Sequence, residues 1–144
     1  MNRYDLPVMD PETIPEIAYP PMHDKHKDEI DLVNEFGVLL DQAMKGDPDE
    51  AAITEKLQEW LAHTHEHFSA ENKLMQECNF PAYPVHSGEH DRVLAQLEDL
   101  QQDWLKNKSV EQLADFLFVD WVDWFNQHVN SMDKITAQFI SQVR

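Results

Sequence analysis

Apolar residues recur every three or four positions along most of this chain, the period of an amphipathic helix. Four stretches show it. The first begins near His23 or Asp24, runs to about Lys45 and carries His26, Ile30, Val33, Gly37, Leu40 and Met44 on its inward side. Gly46-Asp47-Pro48 then predicts a stop and a new start, with Gly as terminator, Asp as N-cap and Pro at the first helical position. The second stripe reads Ile53, Leu57, Trp60, Thr64, His67, Glu71, Leu74 and Cys78. Two prolines and two aromatics make 79–84 a loop, and a third helix follows from about Val85 with His86, His90, Val93, Leu97 and Leu100 aligned. Asn107-Lys108 breaks that helix, and Ser109-Val110-Glu111-Gln112 is a capping-box pattern that opens the fourth. The fourth stripe reads Leu113, Leu117, Trp121, Trp124, His128, Ile135 and Phe139.

No segment has the two-residue period of a strand, so the fold class is all-α. Short connections between the four helices predict an up-down-up-down antiparallel four-helix bundle over 22–144. Residues 1–21 hold five of the eight prolines and are expected to form an extended Pro-rich N-terminal arm, because proline removes amide donors and disfavours helix in the residue before it. Leu6, Val8, Ile14, Ile17 and Tyr19 of that arm are expected to pack along the surface of the bundle.

Charge narrows the choice of partners. With 28 acidic residues against 11 basic ones, the chain carries −17 and repels phosphate backbones and anionic lipid, so neither nucleic acid nor a membrane surface is an expected partner. A single cysteine, Cys78, excludes a disulfide framework and reads as a packed helix-end residue. No run approaches the ~20 apolar residues of a membrane span, and the N-terminus lacks a signal-peptide pattern. A soluble, cytoplasmic monomer is expected.

The chemistry lies in seven residues: His26, His67, Glu71, His86, His90, His128 and Asp133. His67 with Glu71, and His86 with His90, are i,i+4 pairs that each share a helix face. In an antiparallel bundle, ligands gather at one end only if they lie near the starts of the first and third helices and the ends of the second and fourth. These residues obey that alternation and are level to within roughly two turns, about 11 Å. Asp133 fits worst, since five residues turn roughly 140° around an α-helix and separate it from the face of His128. Five imidazoles and two carboxylates suit a pair of transition metals better than one zinc. If both carboxylates and one solvent oxygen bridge two six-coordinate ions, one position stays open for a small diatomic molecule. Nitrogen-rich ligation with carboxylate bridges suits iron, with manganese, cobalt and zinc as other occupants. Trp60, Trp121 and Trp124 read as core filling. His23 and His65 fall off the stripes, and His63 lies one turn before His67 as a hydrogen-bond partner or packing residue rather than an eighth ligand.

The segments Asp24-Lys-His-Lys-Asp-Glu-Ile-Asp-Leu-Val-Asn34, His67-Phe-Ser-Ala-Glu71, His86-Ser-Gly-Glu-His90 and Trp124-Phe-Asn-Gln-His128 through to Asp133-Lys134 occur in order, with a Phe80-Pro-Ala-Tyr loop between. Over about residues 22–141 the chain resembles the hemerythrin family, most closely its single-domain bacterial members, the bacteriohemerythrins. The resemblance implies reversible dioxygen binding at an oxo- or hydroxo-bridged non-haem di-iron centre, for oxygen storage, delivery or sensing. By position, His86, His90 and His128 would hold one iron, His26 and His67 the other, and Glu71 and Asp133 would bridge. Many bacterial relatives carry Tyr where this chain has His63, and the arm lacks a Trp common in relatives before the first helix. Asp at 133, where some relatives linked to iron repair or nitric oxide have Glu, favours oxygen binding and a carrier over a di-iron peroxidase. An oxygen-consuming enzyme would be the recipient. A nitric oxide- or peroxide-handling enzyme, or an iron store or redox-responsive module, would use the same residues. Paired Glu-x-x-His elements and HExxH are both missing, which disfavours ferritin-like di-iron enzymes and zinc proteases.

Overall fold

The computed structural model describes residues 4–144 and, among them, contains helices and no strand. Helix α1 is Pro20–Met44, α2 Glu50–Glu77 and α3 Tyr83–Asn107. Helix α4 runs over 110–143 as one rod in which α-helical pieces (Val110–Asp115, Val122–His128, Lys134–Val143) alternate with two π-helical segments, Phe116–Trp121 and Val129–Asp133. α1 packs on α2, α2 on α3, and the two ends of α4 against α1 and α2, which makes the expected four-helix bundle. No helix among the described residues is long and apolar enough to cross a membrane.

Local chemistry accounts for the boundaries and corrects several expectations. α1 starts at Pro20, three residues before His23, because two consecutive prolines fit its first turn, where no amide donor is needed. α3 likewise starts at Tyr83, with a proline in its first turn. Gly46 ends α1 in the left-handed region (φ 94°), as expected. The cap of α2 is Asp49 rather than Asp47: its carboxylate accepts from the Ala52 amide at 3.0 Å. Caps of this kind contribute about 1 kcal/mol. Ser109 caps α4 by accepting from the Gln112 amide at 3.2 Å.

Residues 4–19 follow a bent path with one 3₁₀ turn, Pro11–Thr13; the first three residues of the expected arm lie outside the described residues. Met9 and Ile14 are buried on the bundle, whereas Leu6 is 42% exposed. The Asn34 side chain clamps Met9 twice, donating to its carbonyl at 2.7 Å and accepting from its amide at 2.9 Å. Gly37 makes this approach possible, since a Cβ there would lie 2.3 Å from Val8 Cγ2.

The main core fills the half of the bundle away from the histidines. Trp60 meets Trp121 edge-on at 5.1 Å and Phe36 at 5.8 Å, with Ile53, Leu57, Val93, Leu97, Leu113 and Leu117 around them. Burial of each such aliphatic side chain stabilises the fold by about 1.5–3 kcal/mol. A smaller cluster of Met22, Ala137 and Ile140 closes the opposite end, with Cys78 against it. The polar site lies between these two apolar clusters.

Candidate metal centre

α1 delivers His26 from its second turn, α2 delivers His67 and Glu71 from its last turns, α3 delivers His86 and His90 from its first, and α4 delivers His128 and Asp133. All seven are buried, none more than 6% exposed. The five-residue gap between His128 and Asp133 closes because Val129–Asp133 is π-helical. Hydrogen bonds from i to i+5 take up one extra residue, so five residues make about one turn. Asp133 Oδ1 is thereby 3.1 Å from His128 Nε2. The same extra residue shifts everything downstream by one position. Thr136, Ala137 and Ile140 face inward, and Ile135, expected on the stripe, is 59% exposed.

The two carboxylates stand between two groups of imidazoles. Asp133 Oδ2 lies 2.9 Å from His26 Nε2, while its Oδ1 lies 3.0 Å from His86 Nε2 and 3.1 Å from His128 Nε2. Glu71 does the same: Oε2 is 2.9 Å from His67 Nε2 and 3.9 Å from His26 Nε2, and Oε1 is 3.2 Å from His90 Nε2 and 4.0 Å from His86 Nε2. Potential donor atoms of His86, His90, His128 and Asp133 fall within 4.8 Å of one another, as do those of His26, His67 and Glu71.

Whether this set suits metal ions is tested by its hydrogen bonds. Glu71 Oε1, His90 Nε2 and Asp133 Oδ1 are buried and make no properly directed hydrogen bond, despite neighbours near 3 Å. Each buried unsatisfied group costs about 1–3 kcal/mol. Two nitrogens, His86 Nε2 and His128 Nε2, also face each other at 3.2 Å. Atoms aimed at a common point rather than at one another fit cations at the two foci.

The outer ring nitrogens are fixed separately. His90 Nδ1 donates to Asn72 Oδ1 at 2.9 Å, and His86 Nδ1 pairs with Thr136 Oγ1 at 2.8 Å. Such bonds select the tautomer that leaves Nε2 free for a metal. Rings complete the wall: Phe68 stacks on His90 at 4.0 Å, Trp124 on His128 at 4.6 Å, and Phe125 meets His26 edge-on at 5.6 Å. Trp124 is thus half-buried, packed against both the site and the main core.

Charge in this set is strongly coupled. Burial and the Asp133 charge push the Glu71 carboxyl up, but its contacts with His67 and His90 outweigh them and hold it down at about 2. Burial likewise raises the Asp133 carboxyl, and the close imidazoles of His128, His26 and His86 overcome it, leaving it well below the usual range. Burial disfavours a charged His67, yet Glu71 and Glu29 on either side raise it to about 10. Burial keeps His90 low, reinforced by His86 and His128.

Residues 18–140 match the family model described as the hemerythrin HHE cation binding domain, a span that includes all seven residues. The chain belongs to the hemerythrin family. It is 36% identical over 113 residues to a bacteriohemerythrin of Aquifex aeolicus (strain VF5), covering 78% of this chain and 82% of that one. A bacteriohemerythrin of Ralstonia nicotianae is 32% identical over 96 residues, 67% and 69% of the two chains. The myohemerythrin of Sipunculus nudus is 30% identical over 132 residues, 89% and 92%. No solved structure gives a significant match.

Against this hemerythrin framework, the remaining histidines separate clearly. His65 is exposed and faces Glu98 at 3.2 Å, and His23 is half-buried. His63 bonds Glu29 Oε2 through Nδ1 at 2.9 Å. Glu29 is a fully buried carboxylate that sequence reasoning did not single out. Its partners are 34 and 35 residues away, so no local spacing marks it; the unusual His63 was the only signal near it.

Proposed function

We propose that this chain binds dioxygen reversibly at a non-haem di-iron centre held by His26, His67, Glu71, His86, His90, His128 and Asp133. Membership of the hemerythrin family supports the coarser reading of a di-iron oxygen-binding protein. The finer reading rests on one observation: each carboxylate turns one oxygen to the two-histidine group and the other to the three-histidine group. Five nitrogens and four carboxylate oxygens would hold two irons, with three histidines on one side and two on the other. Two ferrous ions held there would supply two electrons and a place for a diatomic ligand.

The protein's own part is to bind, orient and exclude. Asn72 and Thr136 hold the His90 and His86 rings in the ligating tautomer. Phe68, Phe125 and Trp124 cover the imidazoles with apolar surface, which keeps water from displacing the bound molecule. Among the described residues the buried polar groups of the site are ligand-type atoms and their anchors, with no further acid or base facing Asp133.

Iron reconstitution without oxygen, followed by cycles of dioxygen and argon, tests the proposal. Two irons per chain and an absorption band that comes with dioxygen and goes under argon are expected. Irreversible oxidation in the first cycle would overturn reversible binding and point to a di-iron enzyme instead.

A further inference from the structure

A second donor cluster stands behind His67, on the side away from Glu71. Glu29 Oε2 is 2.9 Å from His63 Nδ1, Glu29 Oε1 accepts from Thr64 Oγ1 at 2.7 Å, and His67 Nδ1 lies 3.9 Å from the same Oε1. Donor atoms of Glu29, His63 and His67 lie within 4.8 Å of one another. His67 is 2% exposed, and its Nδ1 has no hydrogen-bond partner although it faces this carboxylate. Glu29 itself is fully buried, a costly place for a carboxylate, and the imidazoles of His63 and His67 stand beside it.

The cluster also reaches solvent more fully than the seven-residue centre, whose most exposed member, His128, is 6% exposed. The His63 side chain is 24% exposed and forms part of the lining of a surface cavity of about 310 Å³ shared with Asp28, Asp31, Leu32, Glu35 and Glu59. Lys56 pairs with Glu35 at 2.9 Å and Glu59 at 3.0 Å, and this one cation against Asp28, Asp31, Glu35 and Glu59 leaves the mouth negative. A path with donors therefore runs from an acidic cavity to His63, then Glu29, then His67.

We propose that Glu29 and His63 form a third, weaker divalent-cation site, a station through which metal passes from the acidic cavity to the buried centre. One imidazole and one carboxylate, completed by water, suit first-row divalent ions. His67 Nδ1, 3.9 Å from Glu29 Oε1, borders this site and links it to the centre. With only two protein donors the site holds metal less tightly than the seven-residue centre, as a loading station requires. The loading role rests on the di-iron reading of His67, whereas the site itself does not.

Iron-loaded protein dialysed without oxygen against zinc separates the two. Two irons and one zinc per chain are expected, with anomalous scattering placing zinc about 2.0–2.2 Å from Glu29 and His63. His63→Ala should keep two irons, lose the zinc and take up ferrous ion about tenfold more slowly. Glu29→Gln, which keeps the shape of the side chain, should lose the zinc as well and serves if His63→Ala does not fold. Absence of zinc at Glu29 and His63 in the parent protein, or its retention in both variants, overturns the site. Unchanged uptake in His63→Ala overturns the loading role. Fewer than two irons in the parent protein would count against the centre, and zinc at Glu29 would still stand on its own.

Discussion

The His90 imidazole is held on three sides, by Asn72 at Nδ1, by the Phe68 ring on its face and by Glu71 3.2 Å from Nε2. His90→Ala removes one donor and leaves Glu71 Oε1 buried with only His86 Nε2, 4.0 Å away, so metal analysis after dialysis should find fewer than two irons. Thr136→Val keeps the shape beside His86 but removes the hydroxyl at 2.8 Å. Metal affinity should drop about 10–100-fold with the helix content unchanged; an unaltered affinity would show that the hydroxyl does not orient His86. The donors themselves were legible because i,i+4 spacing places two side chains on one face whatever surrounds the helix. Their anchors were not. Asn72, Thr136 and Glu29 act across helices, over separations of 18, 50 and 34 residues, and a single helix's pattern carries no trace of such contacts.

Helix α4 shows what a periodicity of 3.6 hides. Its apolar stripe reads correctly to Trp121 and His128 and then fails, because the π-helical Val129–Asp133 absorbs one residue. Asp133 was the sign of it: a carboxylate that suits the site chemically and misses it by roughly 140° on an ideal helix. The extra residue can be probed directly. Deleting exposed Asn130 makes His128 and Asp133 an ordinary i,i+4 pair, so Ala137 and Ile140 should stay buried and unfolding should stay cooperative. Inserting an alanine after Asn130 instead turns the rest of the helix by about 100°. That exposes Ile140 and should cost about 2–5 kcal/mol in thermal or denaturant unfolding. Equal stability of the two variants would mean that the π segment does not set the register. The helix starts were missed for a simpler reason. Tandem prolines at 20 and 21 read as the end of an arm, yet proline also fits the first turn of a helix, and tertiary packing chose the second use.

Across the whole molecule, the charges that prepare the centre also set its response to pH. Without metal, His67 is raised from 6.5 to about 10, so its contribution to stability is full below 6.5 and lost as pH rises through about 10. Glu71 is lowered from 4.5 to about 2, so its contribution is full above 4.5 and lost as pH falls through about 2, and Asp133 acts in the same sense. Both contributions are complete between 4.5 and 6.5, the window of greatest stability for metal-free protein. The net charge of −17 points the same way, since deprotonation at high pH adds to self-repulsion. Metal reverses the His67 part. Ligation needs a free Nε2, so binding expels the proton and metal affinity rises with pH. Thermal unfolding with and without zinc, a redox-inert occupant, should therefore show the metal-bound optimum at higher pH than the metal-free one. Metal-free protein that is more stable at about pH 9 than at about pH 5.5 would contradict the charged His67–Glu71 pair on which this rests.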